Sequence, residues 1–299
     1  MNVERRQLPC QILLLSKQAH MKTSVLILLL SLLAAAQSPA PGGATPAAAK
    51  NPPAAQNSLA ATNDQKAREL INQAIHALGD QAYLNVQDMQ QQGRAYSFYH
   101  GEANGVGTVF WRFWKWPDKD RVELTKQRDV IYIENGDKGY ETTFRGTRPQ
   151  EDKDMVEYLR QREFSLDYVL RRWFKEPDVA LFYEGQTVAD NRQVERVTMM
   201  NKQNQAVTLD LDMQTHLPVK KTFVWREPET RYRNVETEVY GNYHLVKGIN
   251  TPYDVVRERN GEMTRQRFLS GVTYNTGIAD SLFDAKVTYD PDAKKHPGN

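Results

Sequence analysis

The chain has 299 residues, with 39 Lys+Arg against 37 Asp+Glu and a single cysteine, Cys10. That near-balance gives no electrostatic reason to expect a nucleic-acid partner. One cysteine excludes a disulfide framework and cysteine-held zinc.

The segment from Met21 to Gln37 combines a basic start, the apolar run Val25 to Leu33 and the small-residue exit Ala34-Ala35-Ala36. This is the pattern of a secretory signal peptide, with cleavage near Ala36. Its apolar core is about ten residues, half the ~20 that span a bilayer, so it addresses the protein rather than anchoring it. Residues 1–20 are either a long charged leader or precede a true start at Met21, which fits better. Export places the mature protein in the periplasm and removes ATP and reduced nicotinamide from its ligands. No cysteine follows the apolar core, so a lipid on a new N-terminal cysteine is excluded. Losing residues 1–36 removes four bases and one acid and leaves 35 and 36, a net charge of −1.

Residues 37–63 are Ala- and Pro-rich and read as a disordered linker. The folded domain is expected over 64–290, with 291–299 a flexible tail. Asp64 is placed to cap a helix whose inner face carries Ala67, Leu70, Ile71, Ala74, Ile75 and Leu78, with Gly79 closing it. From Val86 the period becomes two. Strands are expected at 86–99, 107–116, 120–126, 130–134 and 139–145, joined by short turns as an antiparallel meander. Helical spacing returns between Gln150 and Lys175, where Leu166, Val169, Leu170, Trp173 and Phe174 form a stripe. Strands then resume at 179–188, 193–200, 206–212, 218–226, 230–243, 249–257 and 263–274. About eleven strands in one sheet favour curling or closure. The expected class is α+β, mainly antiparallel β: an incomplete curved β-barrel with a helical lid on its concave face.

Two stretches carry a resemblance. Gly107-Thr-Val-Phe-Trp-Arg-Phe-Trp-Lys-Trp-Pro117 runs into Asp-Lys-Asp-Arg121-Val-Glu-Leu, and Val130-Ile-Tyr-Ile-Glu-Asn-Gly136-Asp-Lys-Gly-Tyr140 follows. They are similar to the aromatic strand and the following hairpin of the bacterial outer-membrane lipoprotein carriers, the LolA/LolB-like family. Ile75 to Gly79 and Gly241 to Pro252 resemble the ends of a broader lipoprotein-sorting-like group. The resemblance spans roughly residues 64–285. It implies a half-barrel with a helical lid over an apolar cavity that holds lipid or the acyl chains of lipoproteins. The carriers place an arginine just before the strand-ending proline, facing the cavity and tied to the lid. Here that position is Trp116, and Lys115 points to the other face.

The strand Phe110 to Trp116 has aromatics on both faces. It serves as core or as the lining of a lipid-sized cavity. A stacking platform for single-stranded nucleic acid is the third reading, and export and neutral charge oppose it. The lid stripe is likewise core or ligand lining. The expected ligand-binding residues are Trp111, Phe113, Trp116, Tyr132, Tyr140, Leu170 and Trp173, drawn from both strand faces because the register is open. Neither His76, His100, His216, His244 nor His296 has a ligand at metal-binding spacing. Gly-x-Ser-x-Gly and His-Glu-x-x-His are absent, so no catalytic residue, metal or cofactor is expected. The expected function is an exported carrier of lipids or acylated lipoproteins. The alternative is a non-catalytic envelope sensor or protein-interaction module of the same fold with a filled interior and a protein partner.

Overall fold

The computed structural model describes residues 53–289. The expected leader and tail lie outside them. Helix α1 (Pro53–Leu78) and the short α2 (Gln81–Leu84) come first. There follow β1 (Asp88–Tyr99), β2 (Glu102–Ala103), β3 (Thr108–Lys115), β4 (Lys119–Leu124), β5 (Val130–Asn135), β6 (Lys138–Thr143) and β7 (Gly146–Pro149). Helices α3 (Asp152–Glu163) and α4 (Leu166–Arg171) and a 3-10 turn at Trp173–Lys175 form the insert. The second run is β8 (Ala180–Ala189), β9 (Arg192–Met200), β10 (Ala206–Asp212), β11 (Pro218–Arg226), β12 (Arg233–Val246), β13 (Ile249–Arg259) and β14 (Glu262–Tyr274).

All fourteen strands belong to one antiparallel sheet, in the order β7-β6-β5-β4-β3-β1-β14-β13-β12-β11-β10-β9-β8, with β2 on β1. The count exceeds the expected eleven or so partly through β2 and β7, too short to show a period. Neighbours in the sheet are neighbours in sequence except that β1 pairs with β3 past the short β2 and, at the seam, with β14. The outermost strands, β7 and β8, are the two that the helical insert connects.

The sheet curls around that insert. On α3, Arg162 donates to the carbonyl of Gly136 beyond β5, while Glu157 pairs with Arg259 on β13 at 2.8 Å. Five strand spacings separate β5 from β13, about 24 Å if the sheet were flat. Five helical residues advance only ~7.5 Å, so the two flanks must rise toward the helix.

The apolar side of α1 is as the period predicts: Ala67, Leu70, Ile71, Ala74, Ile75 and Leu78 are all buried. The helix starts at Pro53, however, ahead of the expected cap and inside the segment read as linker. Asp64 is an interior residue, paired with Arg68 one turn on at 2.7 Å. Asn63 anchors this stretch by donating to the Tyr183 carbonyl and accepting from its N–H at 2.8 and 2.9 Å.

The seam is held by close backbone approach and by Asp88. Its carboxylate accepts from the N–H groups of Thr276, Gly277 and Ile278 after β14. Burial would raise its pKa, but these bonds bring it below the usual carboxylate value. Gly93 sits at the bulge opposite Leu269, where a Cβ would lie 2.0 Å from the Phe268 carbonyl oxygen. Gly93→Ala is therefore expected to cost about 1–3 kcal/mol or more in urea unfolding. Gly241→Ala, whose Cβ meets nothing nearer than 4.0 Å, is the control and should unfold near the wild-type midpoint.

Candidate functional site

The concave face divides into two unlike halves. One is dry. Tyr168, Val169, Leu170 and Trp173 from the insert join the buried face of α1 and Leu181, Val197, Met199, Val207, Leu209 and Phe223 of the sheet in one core. Phe164 stacks on Phe223 with ring centroids 4.3 Å apart, and its edge meets Trp173 at 5.4 Å. Leu170 and Trp173 are thus plain core, and α4 is wedged rather than laid on.

The other half, beneath α3, is charged. Strand alternation turns Phe110 and Trp114 inward to the core, and Arg112 lies between them on the same face. Arg112 forks onto Asp120 of β4 at 2.7–3.1 Å. Asp120 lies directly across from Glu134 of β5, and two opposed carboxylates repel. Burial and then Asp120 push Glu134 up to about 8, while the Gln150 amide donates to it at 2.7 Å. Further along, Glu238 accepts from Lys221, Arg257 and Tyr240 at 2.6–2.7 Å. Burial alone would raise Glu238, yet Lys221 and Arg257 hold it well below its usual value. Glu236 accepts from Arg259 at 2.6 Å and from the Trp225 indole at 3.2 Å.

Helix α3 roofs this half: none of its residues is fully buried, Met155 lies against Gly139 of β6, and burial, Asp120 and Glu134 push the Tyr158 phenol up. Its ties are Glu157 to Arg259, Arg162 to the Gly136 carbonyl, and Arg160 over the Trp225 ring at 3.5 Å. Helix α4 carries a different tie. Arg171, buried, donates to the Val86 carbonyl at 2.7 Å and lies 3.9 Å from the Trp116 ring centroid. Trp116, at the position where the resemblance implies an arginine, thus meets an arginine that comes from α4.

The expected site residues are split between the two faces. Trp116 and Tyr132 face inward, Trp116 against Tyr168 at 5.6 Å and Tyr132 donating to Glu141 at 3.3 Å. Trp111, Phe113 and Tyr140 face outward. Arg128 stacks 4.9 Å from the Trp111 ring. Phe113 and Tyr140 pack with Ile133, Ile278 and Phe283 of the C-terminal segment. Lys115 is on that outer face too, donating to Ile278 and Asp280. The charged concave patch had no place in the expectation.

Surface cavities of about 190 Å³, lined by Glu163, Arg172, Trp173 and Asn201, and about 480 Å³, lined by Asn135, Tyr140 and Phe283, reach neither Arg112 nor Arg257. Among the described residues no group of three or more His, Cys, Asp or Glu is placed to hold a metal. No described helix is long and apolar enough to cross a membrane.

No protein-family model and no curated protein matches the sequence. The structure is similar to that of a DUF1329 family protein from Desulfovibrio piger, at 13% identity and a TM-score of 0.53, covering 73% of this chain and 97% of that one. A putative outer membrane lipoprotein-sorting protein domain from Vibrio parahaemolyticus gives 11%, 0.48, 74% and 97%. A LolA superfamily protein from Nitrosomonas europaea gives 13%, 0.46, 73% and 97%. Likeness at such identity is one of fold: the chain has the expected incomplete, curled antiparallel sheet with helices on its concave face, a fold it shares with the DUF1329 family structure.

Three substitutions test the charged half. Removing one partner of a buried pair costs about 3–5 kcal/mol, so Glu238→Gln, which strands the fully buried Lys221, should lose that much in urea unfolding. Lys221→Met should lose less, because Arg257 and Tyr240 still satisfy Glu238. For Glu134 the folded pKa is raised, so the stability it contributes is whole below its unfolded pKa of about 4.5 and is lost as pH rises through about 8. Glu134→Gln should therefore melt near wild type at pH 4 and progressively higher than wild type toward pH 8.5.

Proposed function

We propose that this protein is an exported, non-catalytic carrier that holds a lipid, or the acyl chain of a lipoprotein, on the concave face of its half-barrel under a lid formed by α3. One observation carries the reading: none of the residues of α3 is fully buried, whereas α4 is fixed in the core. Lifting α3 breaks a few polar ties and exposes side chains that are only half-buried, Met155 and Tyr158 among them. It uncovers a trough in which Val122, Leu124 and Trp225 are only partly buried. Each acyl CH₂ moved there from water contributes about 0.8 kcal/mol. Of the expected ligand residues, Trp116 and Tyr132 border this trough; Leu170 and Trp173 support it.

A second reading, an envelope interaction module of the same fold, has its own support in the filled dry half, where Trp173 is 1% exposed and Leu170 0%. The mature chain contains no cysteine, so Glu157→Cys with Arg259→Cys can be bridged by a short bis-maleimide across the lid. The bridged protein should lose most of its uptake of a fluorescent phospholipid or acylated peptide, and the unbridged double variant should keep it. Equal uptake by both forms would remove α3 as the lid. Absence of uptake by the wild type would favour the interaction module.

A further inference from the structure

The charged trough is over-supplied with cations. Lys221, Arg257, Arg265, Arg267 and Arg112 face it from four strands. Asp120 is taken by Arg112, and Glu238 by Lys221 and Arg257. Glu236 is taken by Arg259, and Glu157 by Arg259 and Arg160. Glu134, raised to about 8, carries little charge at neutral pH. Arg265 and Arg267 are left with no hydrogen bond or ion pair among the described residues. They sit two apart on one face of β14, ~7 Å along the strand. Arg257 is directly opposite Arg265, and Arg267 is opposite Val255.

Like charges directly opposed in a sheet destabilise it, and a cation drawn from water without a partner costs more still. Arg265 is exposed at the mouth of the trough; Arg267 is half-buried, and its Nε is enclosed with no acceptor. Burial, with Arg112, Arg257 and Arg265, pushes Arg267 down to about 10. Such strain is relieved by an anion that accepts from both forks. Guanidinium groups match the oxygens of a phosphate two at a time.

We infer that Arg265 and Arg267 form a phosphate-binding site on the concave face, with Arg257 and Arg112 adding positive potential beside it. The inference deepens the carrier reading, on which it rests for its lipid form: the cargo would be a phospholipid-like molecule with its phosphate on β14 and its chains along the trough. The same chemistry would hold a free phosphate ester.

The test uses the mature protein, 37–299, and three probes below their micelle concentrations: dihexanoylphosphatidic acid, dihexanoylglycerol with the same chains and no phosphate, and glycerol 3-phosphate. The proteins are wild type and Arg265→Gln/Arg267→Met, with unfolding temperature as the fold check. Two charge-assisted sites should favour phosphatidic acid over dihexanoylglycerol by about tenfold or more, and the preference should fall to within about twofold in the variant. The variant without ligand should melt at or above the wild-type temperature, because it loses two uncompensated cations. Equal binding of the two lipids, or a preference that the variant keeps, would overturn the phosphate site and leave the carrier reading standing. Arginine-dependent binding of glycerol 3-phosphate alone would keep the site and remove the lipid carrier. No binding of any probe would overturn both.

Discussion

Residues 150–179 have to join the two opposite edges of a single sheet, and the rest of the architecture follows from that connection. A flat sheet of this width would place its edges far beyond the reach of two short helices, and wide twisted sheets curl in any case. Curling brings β7 and β8 toward each other and forces the insert across the hollow. The insert must then satisfy whatever the sheet presents on its inner side. Strands β8 to β10, with Phe223 of β11, present apolar side chains, and α4 with its 3-10 turn sinks into them. Under α3 the sheet presents carboxylates and guanidinium groups, and α3 stays on top.

The two halves have different energetics. The dry half is stabilised by area removed from water and by ring stacking, both short-ranged and insensitive to pH. The charged half is a chain of compensations: Arg112 for Asp120, Lys221 and Arg257 for Glu238, Arg259 for Glu236. Each buried pair offsets a desolvation cost and gains little beyond it, so that half has little margin. Low margin is what a region that opens requires. The same region holds the uncompensated arginines, so the proposed lid and the proposed phosphate site share one region of low margin.

Much of this was legible in the sequence, because hydrophobic period reports burial wherever burial is apolar. The inner face of α1 and the stripe through Leu170 and Trp173 were readable for that reason, as were the meander turns. Trp111, Phe113 and Tyr140 could not be separated from Trp116 and Tyr132 because aromatics occupy both faces of β3, and alternation has no contrast there. The outward set is covered by Arg128 and by Phe283, a residue 170 positions after Phe113, which no local pattern reveals. The charged trough went unread because charged residues at inward positions look like a solvent face. A signal was nevertheless present. The two-residue turn at Lys247-Gly248 fixes the register of β12 on β13, which sets Glu238 against Arg257 and Glu236 against Arg259. Opposite charges matched at every second position of a hairpin are countable from residue spacing alone.

Native-state hydrogen exchange of the ligand-free mature protein tests the central claim most directly, since it measures the opening free energies of α3 and α4 separately. If α3 is a lid over a marginal, charged trough, its amides exchange through a local opening well below the free energy of global unfolding, independent of denaturant, while those of α4 exchange only with the core. If α3 and α4 exchange together at the global free energy, the roof is part of the core and the account is wrong.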